Sequence, residues 1–187
     1  MTQLMTEQGI VKVPAGTWKV DRSHSSVAFE VKHMMISTVR GLLSEYDGVL
    51  EAHDDPEKST VTGWAAAASI DTGNADRDAH LRGPDFFDAD RYPRLSFVST
   101  AIRHLEGGTY AVTGDLTIKD VTREITVEAT VQGTGEDPWG NQRAGIAVRG
   151  SIDRTDFGLT WQSRLAGGGL LVGEEVNLLL DLSAVAS

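Results

Sequence analysis

The chain is expected to form one all-β domain, a meander of about eight or nine antiparallel strands closing into a barrel. Three observations point there. Apolar residues recur with a period of two in four separate segments, which is the spacing that lines one face of a strand. Gly, Asp, Asn and Pro bound most of the remaining apolar runs, as turns require. The strands also follow one another without the repeated helical stretches that parallel crossovers need. At 187 residues the chain can bury one substantial core, and no shift in composition marks a second domain. The domain is expected over residues 16–187, with residues 1–15 as a poorly ordered lead-in.

Taken in order, "SSVAFEVKH" places Val27, Phe29, Val31 and His33 on one face and Ala28, Glu30 and Lys32 on the other. "TYAVTGDLTIKD" sets Tyr110, Val112, Leu116 and Ile118 against Thr113, Asp115, Thr117 and Lys119. "REITVEATVQG" opposes Ile125, Val127, Ala129 and Val131 to Glu124, Thr126, Glu128 and Thr130, and "EEVNLLLDLSAV" aligns Val176, Leu178, Leu180 and Leu182. Further strands are expected within 17–20, 38–52, 59–70, 94–102 and 143–152. In "TVTGWAAAAS" the small Gly63, Ala65 and Ala67 oppose Trp64, and the pattern leaves open which side faces inward. Asp47-Gly48 reads as a hairpin turn, and a second reversal is expected around Asp120. One segment departs from the pattern. Asn74 or Asp71 can cap a helix over Ala75–Arg82, which Gly83-Pro84 would stop, with a short turn through Phe86 and Phe87 to follow. The loops "GTGEDPWGNQ" and "AGGG" (166–169) are expected to be the most mobile connections.

Composition narrows the partners. Lys and Arg number 17 against 27 Asp and Glu, a formal net charge of −10, which repels nucleic-acid backbones and anionic membrane surfaces. Cysteine is absent, so disulfide and thiolate chemistry are excluded. No window approaches the roughly 18 apolar residues of a membrane helix, so no stable membrane insertion is expected. The amino-terminal residues lack a basic and then apolar leader, which predicts a cytoplasmic protein. Exposed strand edges would allow a homodimer.

Candidate chemistry is sparse. In "SHSS" the serines flank His24, but residues adjacent on a strand point to opposite faces, and no G-x-S-x-G elbow is present. A polar strand start bonded to local backbone is the expected reading. The histidines at 24, 33, 53, 80 and 104 stand singly, without i, i+2 or i, i+4 spacing, so no metal is expected. "GGGLLVGEE" opens into a strand and lacks the Lys-Ser/Thr of a phosphate loop. His33, followed by Met34 and Met35, ends an apolar strand face. Either it is a satisfied rim histidine with the methionines as adaptable filler, or the face lines a cavity and His33 meets the polar end of a ligand.

Four stretches carry a resemblance. "GTWKVDRSHSSVAFEVKHMMISTVRG" (16–41), "SIDTGNADRDAHLRGPDFFDADRYPRLSF" (69–97), "GDLTIKDVTREITVEA" (114–129) and "GIAVRGSIDRTDFGL" (145–159) together resemble the YceI-like domain family, in order and from about residue 16 to the last strand. The resemblance implies a lipocalin-like antiparallel β-barrel of about eight strands with a short helical lid, holding a polyisoprenoid or related lipid and carrying no cofactor. It implies that Val27, Phe29, Val31 and His33 face the lumen and that Phe86 and Phe87 on the lid touch the ligand's tail. The implied lumen takes in Phe97, Tyr110, Val112, Leu116 and Val127, with His33, His80 or Arg154 near a head group. The expected function is binding for storage or transport, not catalysis. Two alternatives remain: an enzyme using His33 or His24 on a small apolar substrate in the barrel, and an interaction module with a solid core. Some family members are exported, and this sequence offers no leader from which to inherit such a role.

Overall fold

The computed structural model describes residues 11–163 and 165–187. Its strands are β1 (Gly16–Val20), β2 (Ser26–His33), β3 (Ser37–Leu43), β4 (Tyr46–Ala52), β5 (Thr60–Ala66), β6 (Ile70–Asp71), β7 (Arg94–Glu106), β8 (Thr109–Ile118), β9 (Val121–Glu136), β10 (Gln142–Asp153) and β11 (Val172–Ala186). A helix, α1 (Ala75–Arg82), lies between β6 and β7. Hydrogen bonding runs β1-β4-β5-β7-β8-β9-β10-β11, and β11 returns to β1 through Trp18↔Ala186, Lys19↔Val185 and Val20↔Ala184. The sheet is closed. Where β1 stops, β2 continues along β11, with Phe29 opposite Leu178 and Val31 opposite Val176. β3 lines β2 as β4 lines β1, and β6 prolongs β5 by pairing with β3. Thus β1–β2, β3–β4 and β5–β6 are three bent walls. With β7 to β11 they make an eight-walled antiparallel barrel, which is the expected class.

The bends are what the sequence pattern does not reveal. The stretches 38–52 and 59–70 each read as one strand, yet each breaks, at 44–45 and at 67–69. Asp47-Gly48 is not a hairpin turn. It lies inside β4, with Gly48 opposite Gly63 and the Asp47 carboxylate accepting from the Gly48 N–H at 2.8 Å. Continuous pairing with β5 outweighs the local turn preference of the dipeptide. The reversal at Lys119-Asp120 forms as expected, with Lys119 at φ 59°. The "GTGEDPWGNQ" loop is shorter than expected because β9 runs to Glu136 and β10 starts at Gln142. Asp137 ties it down, accepting from the N–H groups of Trp139 and Asn141, each at 3.0 Å, and from Arg143 Nε at 2.8 Å.

Alternation determines the inside. Val27, Phe29 and Val31 on β2 share the interior with Val176, Leu178 and Leu180 on β11, and Val148 and Ile152 on β10 join them. Small residues of β5 point inward: Ala65 packs with Leu43, Tyr46 and Ile70. Trp64 therefore faces outward, its ring under the Arg94 guanidinium at 4.1 Å, a cation–π contact on the outer wall. At one end of the barrel Trp18 and Val13 pack with Ala144 and Ala184, and Trp18 Nε1 donates to the Pro14 carbonyl at 2.8 Å. Residues 11–15, expected within the lead-in, thus close this end, while residues 1–10 lie outside the described residues. Phe86, Phe157, Ile118 and Leu159 close the other end.

Helix α1 starts where Asn74 accepts from the Arg77 N–H at 2.9 Å and ends at Gly83. Polar bonds seat it more than an apolar face does. Asp78, 5 % exposed, accepts from the Thr72 N–H at 2.9 Å and the Thr72 hydroxyl at 2.5 Å, and Arg82 donates to the Ala68 and Ile70 carbonyls at 2.8 and 2.9 Å. Its apolar contribution is Leu81, which meets the core clusters beneath.

Phe157 is 1 % exposed at the helix-capped end, so Phe157→Ala leaves a cavity that the surrounding walls cannot collapse. The expected cost is about 3–5 kcal/mol, read as a lower urea midpoint with an unchanged denaturant slope.

Candidate functional site

The barrel encloses a cavity of about 410 Å³, within the size range of small-ligand sites. Its walls are the bent pairs β1–β2, β3–β4 and β5–β6 together with β7 to β11. Alternate residues of each strand supply hydrocarbon. Of the residues expected at the site, Val27, Phe29 and Val31 border this space from β2, Phe97 from β7, Tyr110, Val112 and Leu116 from β8, and Val127 from β9. Phe86 and Phe87 border it from the segment after α1, and Arg154 from the turn after β10. Leu178, Leu180 and Leu182 of β11, which the sequence aligns on one face without placing them at the site, also line it, as do Ile146 and Val148 of β10, which the sequence does not single out. The alternation in the last strand was the available signal.

His33 stands apart from the other expected residues and does not border the cavity. Beyond Val31 the β2–β11 register shifts between Val172 and Val176, and His33 pairs with Val172 and Ser37 past the rim. Met34 and Met35 are not core filler. They form the β2–β3 turn at φ 52° and 60°, and with Ile36 they are 38, 60 and 81 % exposed. His80 lies in an aromatic cluster outside the lumen, edge-on to Trp161 and Phe86 with centroids 4.8 and 5.1 Å away, and its Nε2 meets Asp85 Oδ2 at 2.8 Å.

The polar atoms that reach the interior are committed to the protein's own backbone. The Tyr46 hydroxyl donates to the Ser25 carbonyl at 2.7 Å and the Tyr110 hydroxyl to the Val11 carbonyl at 2.8 Å. Burial raises both phenols above their ordinary pKa, so both stay protonated donors near neutrality. Arg154, 5 % exposed, donates from Nε to Gly173 at 2.8 Å and from its two terminal nitrogens to the carbonyls of Trp161 at 3.1 Å, Val172 at 3.2 Å and Leu159. Burial lowers its pKa while Glu174 and Asp153 oppose that shift, and a guanidinium stays charged. Its hydrogens clamp two segments, 159–161 and 172–173, together. What it offers the lumen is a fixed positive potential.

The serine–histidine stretch is organised differently from the expectation. Residues Arg22–His24 are a turn of 3-10 helix, not strand, so the parity argument does not apply to them. Ser23 Oγ does lie 3.0 Å from His24 Nδ1. The same nitrogen, however, also meets Asp21 Oδ2 at 2.7 Å, and the Ser23 hydroxyl donates to Asp21 Oδ1 at 2.6 Å. A relay needs the carboxylate and the hydroxyl on opposite ring nitrogens. Here both meet the same nitrogen, Nδ1, and Asp21 instead caps the bend between β1 and β2 and also accepts from Arg143 at 2.7 Å.

An eight-walled antiparallel barrel with an apolar lumen and one helix is a lipocalin-like architecture. The chain belongs to the YceI-like domain family, whose model matches residues 18–184. Protein YceI of Shigella flexneri is 33 % identical over 174 residues, covering 91 % of this chain and 87 % of that one. Among solved structures, BcnA of Burkholderia cenocepacia superposes with a TM-score of 0.77 at 27 % identity over 88 % of this chain and 98 % of its own. A polyisoprenoid binding domain from Saccharophagus degradans superposes with a TM-score of 0.69 over 91 % of this chain and 98 % of its own, at 14 % identity, and shares the fold.

The hydrogen bonds of Ser23, Arg143 and His24 hold the Asp21 carboxyl well below the usual carboxylate range. A group whose pKa falls on folding stabilises fully above its unfolded value, near 4, and loses that contribution as pH drops. Asp21→Asn is therefore expected to lower the melting temperature at pH 7. The gap from wild type should narrow progressively as pH falls below about 4, as followed by circular dichroism.

Proposed function

We propose that the barrel binds a long-chain isoprenoid or related amphipathic lipid in its lumen, for storage or transport. The observation that carries this reading is a cavity of about 410 Å³ walled by alternate apolar residues of the surrounding strands, with both interior phenols tied to backbone carbonyls. Such a space offers a guest hydrocarbon contact and almost no hydrogen bonds. Each methylene moved out of water contributes about 0.8 kcal/mol, so a few isoprene units offset the cost of ordering the chain and of association. The name of the Saccharophagus degradans neighbour, a polyisoprenoid binding domain, supports the same class of ligand.

In this reading Val27, Phe29, Val31, Phe97, Tyr110, Val112, Leu116 and Val127 hold the tail, and Phe86 and Phe87 cover it beneath α1. The head group sits at the rim on the Arg154 side. There the guanidinium potential favours an oxygen-rich or anionic group, and His33 and His80 stand beyond the wall. Binding, not catalysis, accounts for a lumen whose polar atoms are already partnered.

Native mass spectrometry of the purified protein is expected to show a long-chain lipid adduct, and adding geranylgeraniol should raise the melting temperature by mass action. Val127→Asp places a charge in the apolar wall and should weaken geranylgeraniol binding at least about tenfold. The absence of both an adduct and a thermal shift at saturating geranylgeraniol would refute the reading.

A further inference from the structure

We infer that Gly41 and Gly114 determine ligand specificity: each is a seat on which an aromatic ring lies against the barrel wall, keeping the lumen wide enough for a methyl-branched chain. This rests on the lumen binding a chain, as proposed above. Phe29 on β2 stands directly opposite Gly41 on β3. A methyl group built on Gly41 would fall 2.3 Å from Phe29 Cζ and 2.5 Å from Cε1, with Thr72 Cγ2 at 3.0 Å. The ring thus fills the volume that any other residue would need for its Cβ. Phe97 on β7 lies over a glycine diagonally: it pairs with Leu116 on β8 and Gly63 on β5, and a methyl on Gly114, two residues from Leu116, would lie 2.5 Å from its Cζ and 2.8 Å from Cε2.

Backbone conformation does not call for glycine here, since neither Gly41 nor Gly114 has a positive φ. Space does. Both rings border the cavity, so the side of each ring left free by the wall is the lumen itself. Alanine at a seat pushes the ring toward the barrel axis. A straight polymethylene chain can still thread past a tipped ring, but a chain with a methyl branch on every fourth carbon meets it. The seats therefore act on the cross-section of the guest, leaving its polarity aside.

Gly41 is the cleaner test, because its methyl would meet only side chains, whereas one on Gly114 would also lie 2.5 Å from the Val98 carbonyl oxygen. Full-length wild type, Gly41→Ala, Phe29→Leu and the Phe29→Leu/Gly41→Ala double variant are titrated with geranylgeraniol and with n-hexadecanol, and folding is checked by circular dichroism. Gly41→Ala is expected to bind geranylgeraniol about tenfold more weakly while n-hexadecanol stays within about threefold of wild type. The double variant, with a shorter side chain on the occupied seat, should recover geranylgeraniol binding. Equal losses for both alcohols, or no loss in folded Gly41→Ala, would overturn the inference. Should Gly41→Ala not fold, Phe29→Leu alone decides: emptying the seat is expected to shift preference toward the branched alcohol, and an unchanged ratio overturns the seats. Wild type that binds both alcohols, with variants that do not change their ratio, refutes the seats alone. Wild type that binds neither refutes the lumen reading and the seats with it.

Discussion

Closure between β11 and the bent wall β1–β2 is the constraint on which the rest depends. β11 gives its far end to β1 and its near end to β2, so one strand spans a break that would otherwise leave two open edges. An unclosed sheet would expose its inward row of Val, Leu and Phe to water and its edge to other chains. The Asp21 network holds this seam, because one carboxylate gathers Ser23, His24 and Arg143 at the bend, and Arg143 in turn ties Asp137 in the β9–β10 loop. The polar stretch that most resembles a reactive site is thus the fastening of the barrel.

Within that closed wall, function follows from how side-chain volume is distributed. An eight-stranded barrel is just wide enough to be filled by its own residues. Here alanine and glycine occupy inward positions on β4, β5 and β8, and the large rings of Phe29 and Phe97 lie along the wall instead of across it. The aromatic bulk that would fill the centre is concentrated at the ends, around Trp18 at one and Phe86 and Phe157 at the other. The barrel is therefore capped more densely than it is filled.

Much of this was legible. Period-two alternation gave the wall strands and their inward faces, and Asn74 with Gly83 bracketed α1 because capping is local chemistry. The failures share a cause, since each depended on a neighbour distant in sequence. Asp47-Gly48 reads as a turn until Gly63 is set opposite it. His33 carries the inward parity of its strand but falls past the rim, because the register of β11 slips beside it. Ser23 and His24 were read as strand, whereas the bend that brings them together is held by Ser183 and Arg143, over a hundred residues away. Alternation also says which face a residue is on, not how far it reaches across. Whether the lumen is hollow was for that reason not readable.

The three bends have a mechanical consequence. They fall side by side, at 21–25, 44–45 and 67–69 in neighbouring walls, and so form a crease across three of the eight walls. Along it the ladder is reduced to scattered bonds such as Asp21 N–H to Ser183, Ser44 N–H to Ser69 and Ala66 N–H to Glu45, while each of β7 to β11 runs as one long strand with only local bulges in its pairing. The barrel is a stiff five-stranded trough with a jointed flap, and the flap carries Phe29 on its inner surface and is fastened to α1 through Thr72 and Ile70. Elastic compliance is concentrated where the fewest backbone bonds must stretch.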